Sequence, residues 1–444
     1  MTTITLDSRR IGGGIVVAFG VLALLSGLWL NPVVGSVIKG PLVVDYADVL
    51  LGYFWWSFAV GVVLVALGLR VIRGKSRADD IVLLAIMLGG AILFDRFLLT
   101  RFGLTLWAYD AEIRYQHRPN VVRTLAGVGR PKDHVVINRW GFHDTDFPLE
   151  KPAREFRALM LGDSVTMGFG VTYAETFSAH LEELLDARDR KFVSHQVINT
   201  GVHGYSTFQE KRVLERTLVF APDIVFVSFC MNDVTEPFVI DKKFGGTGLD
   251  YHGVTQTLNP MAGWLANETG LGRLAQALAW RSKTLQAEKR LEVYNVRSMA
   301  AESRTSPKMQ EAWRILLKEM GDLYDIAAKH SVPVVLVIFP YTFQLANEGL
   351  RAPQSILAQH AAEHGVDVID TTGDFAQAVF DDPELVRYLR HKGKTPDEIL
   401  AYHRHTADRY FYDEDHLTDA GHRIVAKRLF EYLVRTRLVG DSGG

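Results

Sequence analysis

The side chains best suited to chemistry in this chain of 444 residues are a serine, a histidine and an aspartate that lie far apart in the sequence. Ser164 comes just after an apolar run that ends at Leu161. A serine hydroxyl is a poor nucleophile unless a base takes its proton, and His416 can do this if Asp413 holds its other ring nitrogen and fixes the tautomer. Asp415 is a rival for that role, but its side chain is expected to point away from the adjacent imidazole. The set predicts attack of a serine on an ester.

Such an attack creates an oxyanion, which needs hydrogen-bond donors worth about 3 kcal/mol each. The candidate donors are the backbone N–H groups of Ser164 and Gly204 and the side-chain amide of Asn232. Glycine suits position 204 because a Cβ atom would obstruct close approach of the backbone to a ligand. Since each donor follows or adjoins an apolar run, the three are expected to converge in one crevice.

The elements that must position these residues follow from short apolar runs that alternate with helical patterns. The predicted strands are Arg157–Leu161, Val193–Ile198, Asp223–Phe229, Val332–Phe339 and Val366–Ile369. The predicted helices are Glu175–Arg188, Thr207–Val219, Pro307–His330, Gln354–His364 and Thr418–Arg437. Strands of continuous apolar character between helices indicate a parallel sheet that is covered on both faces. The predicted fold is α/β, with three layers and a doubly wound parallel sheet.

The chemical blocks resemble those of the SGNH/GDSL hydrolase superfamily over about residues 156 to 437. The matching residues are, in chain order, Gly162-Asp163-Ser164, Gly204, Asn232-Asp233, and Asp413 with His416. Two positions depart from the usual pattern, because Cys230 stands in place of a glycine and Val165 in place of a leucine. The resemblance implies a flavodoxin-like sheet and the hydrolysis or transfer of acyl groups without a metal or other cofactor.

Three apolar runs near the N-terminus predict membrane-spanning helices. The runs are Ile11–Leu30, Tyr53–Leu69 and Ile81–Phe94. The third is long enough only if Asp95 and Arg96, which follow it, lie near the interface or pair with each other. Basic residues 9–10 and 70–77 are expected on the cytoplasmic side, which requires two crossings between them. A third crossing then places the rest of the chain outside the cytoplasmic membrane, in the periplasm or its equivalent. A third run that does not span would leave it in the cytoplasm.

The predicted organisation is a membrane segment over 1–100, a polar and irregular connector over 101–155, and a hydrolase domain over 156–440. An insertion at about 238–306 interrupts the strand–helix alternation and serves either as a lid or as packing decoration. The net charge of −2 provides no field that would favour nucleic acid, so no nucleic-acid partner is expected.

Other reactive or polar residues have less specific patterns. Cys230 lies in an apolar strand end without a neighbouring base and is interpreted as a small buried side chain. His203 either lines the pocket or lies in a surface turn, and Tyr341 is a further candidate for the crevice. The histidines and aspartate within residues 403–408 fit no common metal-ligand spacing and are interpreted as a solvated helix end.

The expected function is that of a membrane-anchored serine esterase acting on O-acyl groups, mainly acetyl, of envelope or exported carbohydrate. One alternative is an acyltransferase that uses the same site together with a membrane partner for acyl transfer. Another is a hydrolase of lipids or thioesters, and a third is a catalytically decayed membrane scaffold. The expected partners are therefore an acylated carbohydrate or lipid and the membrane bilayer. The acyltransferase alternative adds the membrane partner for acyl transfer.

Overall fold

The computed structural model describes residues 8–29, 47–74, 84–85, 88–93, 95, 106–110, 112–124, 134–234, 269–272, 296–381 and 409–441. The chain divides into two compact units, residues 1–119 with 253–281 and residues 120–252 with 282–444. All the residues predicted to do chemistry belong to the second unit. The predicted insertion at 238–306 lies mostly outside the described residues.

The first unit contains two long helices that pack in antiparallel orientation through glycines. These are α1 (Ser8–Trp29) and α2 (Ala47–Ile72). A Cβ atom added to Gly20 would lie 2.9 Å from the carbonyl oxygen of Gly61, and one added to Gly68 would lie 2.8 Å from that of Gly13. Because glycine has no side chain, the two backbones approach each other closely at both levels.

Large apolar side chains point outward from this pair, for example Phe19 and Leu22, which are 57% and 60% exposed. Within the ranges given above, no helix combines the length and the hydropathy that a membrane span requires, and the predicted spans are not confirmed. The third predicted span, Ile81–Phe94, is described only at residues 84–85 and 88–93.

The connector, predicted to be irregular, contains two short antiparallel strand pairs. In the first unit β1 (Trp107–Asp110) pairs with β2 (Arg114–His117), and in the second unit β3 (Val122–Thr124) pairs with β4 (His134–Val136). Asp110 closes the first turn, since its side chain accepts hydrogen bonds from the backbone N–H groups of Glu112 and Ile113. Strands of three or four residues carry too little periodicity to be recognised in the sequence.

The second unit is built on a sheet of five parallel strands in the order β6-β5-β7-β8-β9. The strands are β5 (Glu155–Leu161), β6 (Ser194–Asn199), β7 (Ile224–Phe229), β8 (Val334–Ile338) and β9 (Asp367–Asp370). This is the doubly wound order of flavodoxin-like sheets, and the predicted parallel α/β fold is confirmed. The predicted strand ends differ from the observed ones by at most two residues.

The helices of this unit lie on both faces of the sheet. They include α3 (Ser164–Met167), α4 (Phe177–Arg188), α5 (Thr207–Thr217), α6 (Pro307–Lys329), α7 (Thr342–Leu345), α8 (Ala352–Glu363), α9 (Thr372–Phe380) and α10 (Asp419–Arg435). Helix α4 packs against α10, and α5 packs against α6. Since β6 and β7 flank β5 on opposite sides, right-handed crossovers place α4 and α5 on opposite faces. The chain reverses its winding between β5 and β7, where such sheets open a crevice at the carboxyl ends of the strands.

A buried arginine anchors the first strand of this sheet. The side chain of Arg157 is fully buried, and its Nε lies 2.6 Å from the carboxylate of Glu155. Its guanidinium also donates to the carbonyl oxygens of Pro148 at 2.9 Å, Phe220 at 3.0 Å and Leu149 at 3.1 Å. These bonds hold the segment before β5 and the segment after α5 against the strand that carries the candidate nucleophile.

Replacement of Arg157 by methionine should therefore destabilise the fold by about 3–5 kcal/mol, because it leaves a buried carboxylate and several carbonyl groups without their donor. Thermal and denaturant unfolding of the purified full-length protein would measure this. Arg423→Met is the matched control: Arg423 is 60% exposed and its ion pair with Asp419 should be worth less than about 1 kcal/mol. Equal shifts for the two variants would contradict the anchoring role.

Candidate active site

Ser164 lies at a tight turn between β5 and α3, in which the neighbouring position Gly162 has no room for a side chain. It is the first residue of α3, directly after β5, and Asp163 caps the helix by accepting a hydrogen bond from the N–H of Val165 at 2.9 Å. A Cβ atom added to Gly162 would lie 2.1 Å from the hydroxyl oxygen of Thr166. The tight turn holds Ser164 at the carboxyl edge of the sheet.

The loop after β6 packs directly on the backbone of this turn. A Cβ atom added to Gly201 would lie 2.3 Å from the backbone nitrogen of Met167. The N–H of Val202 donates to the carbonyl of Gly162 at 3.2 Å. The turn after β5 and the loop after β6 together fix the position of α3.

His416 is carried by a closed turn that precedes α10. The N–H of Tyr412 donates to the carbonyl of His416 at 2.8 Å, and the N–H of Thr418 donates to that of Tyr410 at 3.0 Å. Thr418 then caps α10 by accepting a hydrogen bond from the N–H of Gly421. The imidazole is therefore attached to a short, cross-linked loop at the start of a long helix.

Contacts from two other loops hold this turn in place. After β8, the N–H of Thr342 donates to the carbonyl of Glu414 at 2.8 Å, and its hydroxyl donates to the Glu414 carboxylate. The hydroxyl of Tyr412 donates to the carbonyl of Gly170 at 2.5 Å, just beyond α3. The second of these contacts ties the loop of His416 to the loop of Ser164.

The structure brings together Ser164, His416 and Asp413 in a chain of hydrogen bonds. Nε2 of His416 lies 2.8 Å from Oγ of Ser164. Nδ1 of His416 lies 2.8 and 3.0 Å from the two carboxylate oxygens of Asp413, which also accepts the backbone N–H of His416 at 2.9 Å. With its Nδ1 proton bonded to the carboxylate, a neutral imidazole presents an accepting Nε2 to the serine hydroxyl.

The charges around His416 increase its basicity. Burial lowers the pKa of His416, but the carboxylates of Asp415 and Asp413 outweigh burial and raise the pKa to about 10. Burial raises the pKa of Asp413, but the nearby imidazole and its hydrogen bonds outweigh that effect and hold the pKa below its usual value. Asp413 therefore remains ionised while His416 accepts a proton.

The expectation that Asp415 points away from His416 is wrong. Oδ1 of Asp415 lies 3.3 Å from Nδ1 of His416, and its side chain is 11% exposed, against 46% for Asp413. The backbone N–H groups of Asp415 and His416 both donate to the Asp413 carboxylate, which bends the turn tightly. In a turn of this kind adjacent side chains can lie on the same side, whereas in an extended segment they would alternate.

The three candidate oxyanion donors lie on the loops that follow three adjacent strands. Ser164 is at the first position of α3, where the backbone N–H takes no part in intrahelical bonding. Gly204 has φ of +76°, a conformation that glycine adopts readily. Asn232 lies in the turn Met231–Val234 after β7, and its side-chain amide donates to Oδ2 of Asp163 at 3.2 Å. Their role in binding an oxyanion stays a prediction.

Two rings pack against the imidazole of His416. The ring of Phe169 has its centroid 4.8 Å away, and the ring of His203 lies nearly parallel to the imidazole at 5.9 Å. Of the two interpretations of His203, the structure therefore supports the one in which it lines the site. Phe169 was not predicted from the sequence, although its place just after the glycine turn that ends α3 would have identified it.

Cys230 and Tyr341, two further candidates, are both buried. Cys230 is buried, as predicted, and burial raises the pKa of its thiol well above the usual value, so it is not a nucleophile. Tyr341 is buried against the ring of Phe343, and it is the neighbouring Thr342 that contacts the loop of His416. The candidates at 403–408 lie outside the described residues.

One group of possible metal donors occurs among the residues that the structure describes, and it coincides with this site. The donor atoms of Asp413, Asp415 and His416 all lie within 4.8 Å of one another. The carboxylates adjoin the imidazole, which is itself hydrogen-bonded to Ser164. This is the arrangement of an acid–base site built around a serine.

Comparison with known proteins identifies the family of the chain. Residues 160–424 match the family model of the GDSL-like lipase/acylhydrolases. No curated protein matches the chain at a significant level.

Several solved structures are similar at low sequence identity. An acetylxylan esterase from Geobacillus stearothermophilus is 18% identical, with a TM-score of 0.33 over 62% of this chain and 93% of that one. The acetyl xylan esterase AlAXEase is 16% identical, with a TM-score of 0.36 over 63% and 100% of the two chains. The psychrotrophic esterase EstA from Pseudoalteromonas sp. is 12% identical, with a TM-score of 0.33 over 64% and 98%.

A doubly wound parallel sheet with a serine, a histidine and an aspartate hydrogen-bonded in series at its carboxyl edge defines the class of α/β serine hydrolases. The chain belongs to the GDSL-like lipase/acylhydrolase family, whose model matches more than half of its length. It is an ester-hydrolysing enzyme.

Gly201→Ala should reduce ester hydrolysis by about 100-fold, because the added methyl group displaces α3 and with it Ser164, and a shift of about 1 Å at a reacting group has a cost of this order. The initial rate on a nitrophenyl ester is the measurement. Gly373→Ala is the control, since nothing lies within 4 Å of a Cβ atom added there. An active Gly201→Ala variant with a wild-type rate would show that α3 tolerates the displacement.

Proposed function

We propose that Ser164, His416 and Asp413 catalyse the hydrolysis of carboxylic esters in this enzyme. The observation that carries the proposal is the 2.8 Å distance from Nε2 of His416 to Oγ of Ser164, with Asp413 on the opposite ring nitrogen. The three groups have the order and spacing that a serine nucleophile, its general base and an orienting carboxylate require.

In the first half of the proposed reaction Oγ of Ser164 attacks the carbonyl carbon of the ester, and its proton moves to Nε2 of His416. The tetrahedral intermediate then collapses: the bond to the leaving alcohol breaks, and His416 returns the proton to that oxygen. In the second half His416 takes a proton from water, whose oxygen attacks the acyl carbon. The bond from that carbon to Oγ of Ser164 then breaks, His416 returns the proton to Oγ, and the acid is released. Asp413 stays ionised throughout and stabilises the imidazolium.

We propose that the backbone N–H groups of Ser164 and Gly204 and the amide of Asn232 stabilise the oxyanion of both tetrahedral intermediates. The hydrogen bond from Asn232 to Asp163 supports this role, because it orients the amide at the end of β7, next to the strand that carries Ser164. An amide nitrogen carries two N–H bonds, so a bond to Asp163 is compatible with donation to a substrate.

As substrate we propose short O-acyl groups, principally acetyl, on envelope or exported carbohydrate. Membership of an acylhydrolase family supports an ester substrate. The packing of Phe169 and His203 on His416 supports a small acyl group, because the two rings occupy space beside the base. The predicted location outside the cytoplasmic membrane supports a polymer of the envelope. Long-chain lipid esters and transfer to a second alcohol are the alternatives that use the same serine chemistry.

Ser164→Ala should lower the rate of hydrolysis of nitrophenyl acetate by roughly 10⁴-fold or more, since the residues of a nucleophile–base unit act together. Ser355→Ala, at an exposed serine on α8, is the control and should retain the wild-type rate. A fluorophosphonate probe should label wild-type protein and not the Ser164→Ala variant. Equal rates for the wild type and Ser164→Ala would exclude this serine as the nucleophile.

The same assay with a series of acyl chains and with acetylated polysaccharide tests the substrate class. Release of acetate from the polymer, with a rate that falls as the acyl chain lengthens, is the expected result. Faster cleavage of long chains would instead favour a lipid substrate.

We also propose that residues 1–100 anchor the enzyme in the cytoplasmic membrane, with the hydrolase unit on the outer side. The exposed apolar side chains of α1 and α2 support this placement, because lipid would cover them. The close glycine contacts between the helices support it as well, since helices in membranes associate through small residues.

The full-length protein should remain in the membrane fraction after carbonate extraction, and a C-terminal alkaline phosphatase fusion should be active. Phe19→Lys combined with Leu22→Lys should reduce membrane retention, because each lysine costs about 2.5–3.5 kcal/mol in hydrocarbon. Val193→Lys with Val219→Lys, at valines 69% and 62% exposed in the hydrolase unit, is the matched control. Retention unaffected by the α1 lysines, or release of the wild type by carbonate, would argue against anchoring through this helix.

A further inference from the structure

Asp415 occupies a position that the family resemblance does not assign. It is 8% exposed, and its two carboxylate oxygens face different partners. Oδ1 lies 3.3 Å from Nδ1 of His416, and Oδ2 lies 3.9 Å from Sγ of Cys230. The carboxylate therefore bridges the loop of His416 and the end of β7.

Cys230 is the residue that stands where the sequence pattern usually has glycine. The structure shows no need for glycine here, because Cys230 is not among the residues with positive φ. Its backbone N–H donates to Oδ2 of Asp233 at 3.0 Å, which fixes the turn after β7. Since burial raises the pKa of the thiol well above its usual value, Cys230 keeps its proton and acts towards Asp415 as an S–H donor.

We propose that Asp415 is a second positioning carboxylate for His416, that the Cys230 thiol holds it in place, and that this pair sets the pH range in which the enzyme is active. The proposal rests on the proposed function, in which His416 is the general base. Asp413 orients the imidazole from the exposed side of the loop, and Asp415 acts on the same Nδ1 proton from the buried side.

The groups that face His416 determine the direction of the effect. The carboxylates are Asp413 and Asp415 on its own loop and Asp163 at the end of β5, and the histidines are His203 after β6 and His422 on α10. Burial lowers the pKa of His416, and the carboxylates, Asp415 first, raise it to about 10. Burial raises the pKa of Asp415 to about 7, so this group is ionised at the alkaline pH at which His416 loses its proton.

The sign of the pH dependence follows from these shifts. His416 accepts a proton from Ser164 only when it is neutral, so kcat/KM falls as the pH falls through the pKa of His416. Removal of the Asp415 charge takes away an interaction that favours the imidazolium, and the pKa of His416 then falls. The acidic limb of the kcat/KM profile should move to lower pH.

The test is the pH profile of kcat/KM for full-length wild type, Asp415→Asn, Cys230→Ala and Cys230→Ser on nitrophenyl acetate. Asp415→Asn, which preserves shape, should shift the acidic limb down by about one pH unit or more, the usual effect of one nearby charge. Cys230→Ala should shift it in the same direction by less, because without the S–H donor the carboxylate of Asp415 is held less firmly beside Nδ1 of His416. Cys230→Ser keeps a donor and should restore the wild-type profile.

A purely structural role for Asp415 would lower kcat without moving the limb, and that result would overturn the proposal. Wild-type behaviour of Cys230→Ala would overturn the part assigned to the thiol. If Asp415→Asn does not fold, as judged by its melting curve, the difference between Cys230→Ala and Cys230→Ser decides the proposal.

Failure of the proposed function would be recognised separately. In that case the fluorophosphonate probe would label wild type no faster than Ser164→Ala at any pH. An active, labelled wild type together with an unmoved limb in Asp415→Asn would reject only the role of Asp415.

Discussion

The hydrogen bond between Ser164 and His416 joins two residues that are 252 positions apart in the chain, and the hydrolase unit is organised around keeping them in contact. Ser164 is fixed by a turn in which Gly162 has no space for a side chain and on which Gly201, from the loop after β6, packs closely. His416 is fixed by a loop whose two ends are joined by backbone hydrogen bonds. Thr342, which follows β8, donates a further hydrogen bond to this loop. Reacting groups lose rate steeply with displacements of about 1 Å, so both supports are required for catalysis.

Electrostatics imposes a second constraint on the same few residues. Asp163, Asp413 and Asp415 all lie near one imidazole, and two of them, Asp163 and Asp415, are buried, where a carboxylate is costly without donors. Each carboxylate has such donors nearby: Asn232 and a backbone N–H for Asp163, the His416 loop for Asp413, and the Cys230 thiol for Asp415. The donors belong to the segments that follow β5 and β7 and to the loop of His416.

Much of the fold was predictable because a parallel sheet buries both faces and its strands are continuously apolar. The strand ends were placed within two residues, and the long helices were recognised by their periodicity. The short strands of the connector were not predicted, since three or four residues carry no clear period. The burial of Arg157 within β5 was also not predictable, because its partners include carbonyl groups of the irregular segment before the strand and of Phe220, which is 63 positions away.

The residues that can act were predictable from the amino-acid sequence. Their order is typical of one family, and each stands after an apolar run or before the final helix, as is the case for Ser164, Gly204, Asn232, Asp413 and His416. The parallel sheet was predictable from the same runs. The strand order, the packing of Phe169 and His203 on the imidazole, and the direction of Asp415 became visible in the folded chain alone. The physical reason is that strand neighbours and side-chain directions in loops depend on hydrogen bonds between distant segments, which no local pattern records.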